Sequence, residues 1–182
     1  MKSTIILFAS ARRHGNTGKL ADRIATALNA PVIDLGQRRI SGFDYSHGNR
    51  HDDFEPLMEA VLTYRQLVFA SPIYWYAVAP AMKIFLDRLT DYLDLPDLCD
   101  KGRLLRSKTG FVICTSNLER ADGSFMDAFK KTFAYLGMRY GGAIHADCSQ
   151  GFPGKSLEHD IRAFIQLFKH DRDNRNVIPA AR

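Results

Sequence analysis

Short apolar runs alternate with segments of helical spacing along the chain, five times over. The runs are STIILFA (3–9), PVIDL (31–35), QLVFAS (66–71), TGFVICTS (109–116) and RYGGAIHADC (139–148). Each has strand length, and Ile5 to Phe8 are all apolar, as a strand buried on both faces requires. Behind the first run, Leu20, Ile24, Ala27 and Leu28 repeat at helical spacing, with Thr17 as the expected cap and an end near Asn29. Leu57, Met58, Val61 and Leu62 mark a helix from about Phe54 to Tyr64. Pro80 suits a first helical turn, and Met82, Phe85, Leu86 and Leu89 extend that helix to about Leu93. Phe125 to Leu136 forms another helix, and Ser156 to Lys169 the last, with Leu157, Ile161, Phe164, Ile165 and Phe168 on one face. This alternation predicts an α/β fold: a five-stranded parallel sheet with helices on both faces, in the order 2-1-3-4-5. Ligands then bind at the carboxyl ends of strands one and three, where the strand order reverses. The loops to inspect are therefore 10–16, 71–78 and 115–123.

The 182 residues suit one domain, 1–182, with a single core. A net charge of +5 and a pI near 9.2 favour anionic small molecules. Basic residues are interleaved with acids, in clusters no longer than Arg12-Arg13 or Arg38-Arg39, which argues against nucleic-acid binding. Cys99, Cys114 and Cys148 have no C-x-x-C spacing, so metal-ligand and iron–sulfur motifs are absent. The odd count predicts reduced thiols and a cytoplasmic setting. Ile5 to Phe8 is too short for a signal peptide's apolar region or a membrane span. Residues 36–53 are rich in Gly, Ser, Asp, Asn and His and read as a surface loop, with His47, His51, Asp52 and Asp53 solvated rather than gathered on a metal. The tail NRNVIPAAR (174–182) is expected to fray or to pack on a partner. The G-x-S-x-G elbow of a serine hydrolase is absent.

The stretch ASARRHGNTGKLA (9–21) joins the first strand to the first helix. A Walker A loop, aligned on Gly18-Lys19, fails at Arg13 and Leu20. The dinucleotide pattern G-x-G-x-x-G also fails at Arg13, although Asp34 ends the second strand where a ribose ligand would stand. A single terminal phosphate asks for less: hydroxyls, backbone N–H groups, a helix N-terminus and one cation. Ser10, Arg12, Asn16 and Thr17 supply these, and a guanidinium grips phosphate oxygens two at a time. In SPIYWYAVAPAMKIFLDRL (71–89), Ser71-Pro72 holds the chain extended and sets Tyr74, Trp75 and Tyr76 at a rim, where a flat heteroaromatic ligand finds backbone and rings.

Together, S-x-R-x-x-G-N-T after an apolar strand and S-P-I-Y-W-Y followed by P-A-M-K-x-F-L-D-R resemble the NADPH-dependent FMN reductase and NAD(P)H:quinone reductase group of flavodoxin-like proteins. The resemblance covers most of 3–145. It departs at Ala9, where the group usually carries glycine, and the cysteine motif of the group's iron–sulfur members is missing. It implies a flavodoxin-like three-layer sandwich, with FMN as cofactor and NAD(P)H as co-substrate. It implies that Ser10, Arg12, Asn16 and Thr17 bind the FMN phosphate. Pro72, Ile73, Tyr74 and Trp75 then line the isoalloxazine, with Thr115 and Ser116 on its other side and the loop Asn117 to Gly123 folding over it. The implied reaction is a ping-pong, two-electron reduction of a quinone or similar small acceptor, with Tyr74 or Tyr76 as proton donor. The implied assembly is a homodimer or homotetramer. A one-electron carrier and a non-catalytic FMN-binding module are the alternatives, and the basic pI argues against the carrier.

Overall fold

Successive residues of each central strand alternate between two separate apolar clusters. In the computed structural model, which describes residues 2–176, Ile5 and Leu7 of strand β1 (Lys2–Phe8) face one cluster and Ile6 and Phe8 the other. The strands β2 (Val32–Asp34), β3 (Tyr64–Pro72), β4 (Thr109–Ser116) and β5 (Arg139–Asp147) complete a five-stranded sheet in the order β2-β1-β3-β4-β5, with every pair parallel. One face is covered by α2 (Phe54–Leu62), α3 (Pro80–Arg88) and α6 (Gly123–Tyr135), through Met58, Met82, Phe85, Phe129 and Phe133. The other is covered by α1 (Asn16–Leu28) and α7 (Glu158–Asn176), through Leu20, Ile24, Ile161, Phe164 and Phe168. This is the flavodoxin-like three-layer sandwich and strand order that the alternation predicts.

Local details differ from the expectation. The helix beginning at Pro80 ends at Arg88, not near Leu93. Its last turn tightens into i→i+3 bonds, Leu89 N–H to Leu86 O and Thr90 N–H to Asp87 O. A separate turn, α4 (Asp91–Asp94), follows, then α5 (Cys99–Arg103) and a 3-10 turn, Leu104–Ser107, in a stretch that periodicity left without an element. On α1 the inward alanines are Ala21 and Ala25, and Ala27 is exposed. Thr17 is not the cap: that position is Gly15, and no side chain caps the helix. Of the tail, residues 174–176 belong to the last turn of α7, and 177–182 lie outside the described residues.

The loop 36–53 is not simply solvated. Arg88, 1% exposed, donates to Asp91 and Asp52, each at 2.6 Å, and to the carbonyls of Ser41 and Asn49. His47 Nδ1 lies 2.8 Å from Asp91 Oδ1. Burial works against the Asp52 carboxylate, but bonds from the Ser41 and Phe54 amides and from Arg88 hold it below its usual range. The loop is thus strapped to the end of α3 by a buried guanidinium that also lies 4.7 Å from the Phe54 ring. Two glycines inside β5 have a packing cause. A Cβ at Gly141 would come within 2.4 Å of the Phe111 ring, and Gly142 takes φ +127° beside the register shift at Gly110/Phe111.

Candidate functional site

The carboxyl ends of β1, β3 and β4 open onto a cavity of about 530 Å³, within the usual size of a cofactor site. Ser10, Arg12, Asn16, Thr17, Pro72, Ile73, Tyr74, Trp75, Thr115 and Ser116 all line it. Two loops distant in sequence therefore meet, as the reversal of strand order requires.

At one end the β1–α1 turn is shaped by short bonds. Gly15 N–H donates to Arg12 O, and Arg12 N–H to Ser10 Oγ. Because no side chain caps α1, an anion is the natural acceptor for its first-turn amides. The neighbouring arginines divide their work. Arg13 is paired with Asp22 through both nitrogens and lies over the Phe8 ring, whereas Arg12 is exposed and lines the cavity. Gly18 is required by the crossing of Arg13: a Cβ there would stand 1.8 Å from the Arg13 carbonyl oxygen. The Thr17 hydroxyl turns to Thr115, with 2.6 Å between the oxygens. Asp34 accepts from Gly36 N–H as the cap of a 3-10 turn and does not line the cavity, which removes the dinucleotide-type ribose contact. His14 is exposed and also lies outside the lining.

At the other end, Tyr74 and Ala77 exchange both backbone bonds at 2.9 Å around Trp75 (φ +47°) and Tyr76 (φ +64°). This is a two-residue turn of the I′ kind, built from two aromatics where glycine or asparagine is usual. Ser71 staples its base: its Oγ accepts from Ala79 N–H and donates to Pro72 O. Ile73 N–H donates to Thr115 O, so the aromatic loop hangs from the end of β4. Trp75 is 94% exposed and Tyr76 58%, at the rim that the sequence predicts.

The model of NADPH-dependent FMN reductases matches residues 1–149. The chain belongs to that family. It is 26% identical over 147 residues to YwqN of Bacillus subtilis strain 168, assigned by name to the NAD(P)H-dependent FMN-containing oxidoreductases, over 76% of this chain and 81% of that protein. Its fold matches the Trp repressor binding protein of Bacillus subtilis with a TM-score of 0.69 and 24% identity, covering 91% of this chain and 96% of that one. It also matches an FMN-dependent NADH-azoreductase of Bacillus anthracis strain Ames Ancestor, in complex with FMN, with a TM-score of 0.67 and 13% identity, covering 93% and 99%. As an FMN reductase of this family, the chain is an NAD(P)H-dependent oxidoreductase with FMN as cofactor.

The crevice of this FMN reductase suits that cofactor on its own chemistry. An uncapped helix start, two hydroxyls, an amide and a guanidinium gather at one end, and main chain and aromatic rings at the other. Tyr76, expected as a proton donor, lines it too, and so do Gly15 and Cys148, for which the sequence rules name no role. Of the loop expected to fold over the ring, only Asn117 and Leu118 reach the lining. Cys148 follows β5 directly, so the carboxyl-edge rule, extended one strand further, reaches it. Burial, ahead of the Asp147 charge, pushes its thiol above the usual range. Burial likewise pushes the His145 imidazolium below its ordinary range, against the opposing pull of Asp147. Among the described residues, no three His, Cys, Asp or Glu side chains gather as for a metal, and no helix is long and apolar enough to cross a membrane.

Proposed function

We propose that this chain reduces quinones or similar small acceptors by two electrons at the expense of NAD(P)H. Ser10, Arg12, Asn16 and Thr17 hold the FMN phosphate, and Pro72, Ile73, Tyr74, Trp75, Thr115 and Ser116 hold its ring. The observation that carries this reading is the convergence of both loops on one cavity, with an anion-seeking end and an aromatic end. When bound, FMN supplies hydride acceptance from NAD(P)H and two-electron delivery to the acceptor in a ping-pong sequence. Arg12 and the α1 amides neutralise the phosphate. The turn's own bonds use the N–H groups of Tyr74 and Ala77, so those of Trp75 and Tyr76 serve the ring edge and stabilise negative charge there. Tyr74 and Tyr76, which line the cavity and are exposed to solvent, donate a proton to the reduced acceptor.

A second copy of the chain completes the acceptor pocket in a homodimer or homotetramer, which the exposed Trp75, Tyr76 and Leu118 at the rim support. The free thiols of Cys99, Cys114 and Cys148 support a cytoplasmic setting. The test is optical. Purified protein is expected to show a flavin spectrum that NADPH bleaches under argon and a quinone restores. A colourless protein that takes up no FMN, or a flavin that NADPH leaves oxidised, would end this reading. A monomer by light scattering at micromolar concentration would end the shared pocket.

A further inference from the structure

Ser116 ends β4 at the wall of the crevice, and two other groups of the chain share its hydroxyl. The N–H of Leu118 donates to Ser116 Oγ at 3.1 Å, and Nε2 of His145, on the neighbouring strand, lies 2.8 Å from the same oxygen. The Ser116 carbonyl accepts from Cys148 N–H at 2.7 Å, so the β5 side grips this residue at main chain and side chain together. Ser116 lines the cavity and His145 does not, so the imidazole acts on the site through the serine.

A hydroxyl has one proton and two lone pairs. Leu118 occupies one lone pair. If Nε2 takes the hydroxyl proton, the second lone pair is left for the crevice and Ser116 is an acceptor there. If Nε2–H donates instead, both lone pairs are spent and Ser116 is a donor. The surroundings favour the first arrangement. The hydroxyl, already accepting from Leu118, has its proton to give, and Nε2 of the half-buried ring, whose charged form burial disfavours, is the acceptor within reach; the Asp147 carboxylate stands two residues on along the same face of β5. The other titratable neighbours are Cys114, in register with His145 on β4 and pushed by burial up to about 12, and Asp160 of α7, which borders the same surface groove.

We propose that His145 is a positioning residue of the site: it holds the hydroxyl proton of Ser116, makes Ser116 an acceptor toward the crevice, and thereby selects an occupant that brings an N–H to that wall. The assignment of the partner rests on the FMN reading, because the oxidised isoalloxazine carries a single N–H, at N3.

Binding of FMN and of 3-methyl-FMN, which lacks that N–H, is compared by quenching of flavin fluorescence. The unmodified protein is expected to prefer FMN about five- to tenfold, the value of one hydrogen bond. The preference is expected to vanish in His145→Phe and in Ser116→Ala. Equal binding by the unmodified protein, or a preference that survives in His145→Phe, would overturn the proposal. A flavin-free measurement stands beside it. Long-range 1H–15N NMR of the imidazole is expected to show His145 protonated at Nδ1 and bare at Nε2, with the Nε2-protonated share rising in Ser116→Ala. A ring protonated at Nε2 would overturn the proposal with or without flavin. Nδ1 protonation in a protein that binds no FMN would uphold the His145–Ser116 pair and discard the FMN reading.

Discussion

Thr17 Oγ1 and Thr115 Oγ1 lie 2.6 Å apart, both residues buried, so the first turn of α1 and the end of β4 are tied by one hydrogen bond at the edge of the crevice. Thr17→Val keeps the shape and strands the Thr115 hydroxyl, which costs about 1–3 kcal/mol for a buried polar group left unpaired. Thr115→Val is expected to cost the same in the other direction. The double variant is expected to lose clearly less than the two single losses together, because neither side then carries an unmet polar atom. Urea unfolding of the four proteins measures the coupling.

Arg12 and Arg13 are adjacent in sequence and opposite in use. Arg12→Ala is expected to weaken FMN binding by about 1.5–3 kcal/mol, the range for a hydrogen bond to a charged group. Arg13→Ala removes a partly exposed pair with Asp22 and is expected to shift stability by less than about 1 kcal/mol, leaving FMN affinity nearly unchanged. Equilibrium titration with FMN separates the two, and equal losses would show that the turn, not the Arg12 guanidinium, holds the phosphate.

The parts of this site that local sequence rules describe were legible, and the parts made by distant contacts were not. Ser10, Arg12 and Asn16 follow from a strand–turn–helix junction, and Tyr74 to Tyr76 from an aromatic run at a strand end, so local rules suffice to place both loops at the carboxyl edge. The capping rule that picks threonine at a helix start cannot see Thr115, 98 residues away, which takes the Thr17 hydroxyl instead. Periodicity carries the helix past Arg88 because nothing local marks the stop. The stop coincides with a buried guanidinium drawn to Asp52, 36 residues earlier. Alanine gives little signal of which way it faces, hence the exchange of Ala27 for Ala21 and Ala25.

Trp75 and Tyr76 occupy the left-handed region, which costs an L residue roughly 1–2 kcal/mol. Glycine carries no such penalty but loses more chain entropy on folding, about 0.5–1 kcal/mol. Trp75→Gly is therefore expected to leave stability unchanged or raise it by up to about 1 kcal/mol while FMN binding falls. Calorimetry and fluorescence titration read the two effects separately. A variant that is both less stable and unimpaired in binding would mean that the aromatic turn serves the fold rather than the ligand.

Arg88→Met replaces the buried guanidinium with an apolar chain and leaves Asp52 and Asp91 facing each other without their cation. Breaking a buried pair by removing one partner costs about 3–5 kcal/mol, and here two carboxylates lose it together. The straps to Ser41 O and Asn49 O go with it, so amide exchange is expected to quicken across 36–53 before the sheet is affected. The loss is expected to ease as pH falls, since protonation removes the charge that the missing cation leaves exposed. A loss under about 1 kcal/mol with unchanged exchange would show that the loop holds itself without Arg88.

His145 gives the fold a pH dependence whose sign follows from its burial. Its folded-state pKa lies below the ordinary 6.5, so in the window beneath 6.5 the unfolded chain binds more protons than the folded one. Stability therefore falls as pH drops through that window and is level, for this group, above it. Asp52 and Asp147, held below 3.8, act in the same direction but lower on the scale: their contribution is present above the ordinary carboxylate pKa and is lost below it. Urea midpoints between pH 7.5 and pH 5 are thus expected to decline in the unmodified protein, and more gently in His145→Phe, which has no proton to gain. An identical decline in both proteins would mean that His145 charges as readily in the fold as in the open chain. In that case burial would not keep the partner of the Ser116 hydroxyl neutral below pH 6.5, and its acceptor role toward the crevice would be confined to higher pH.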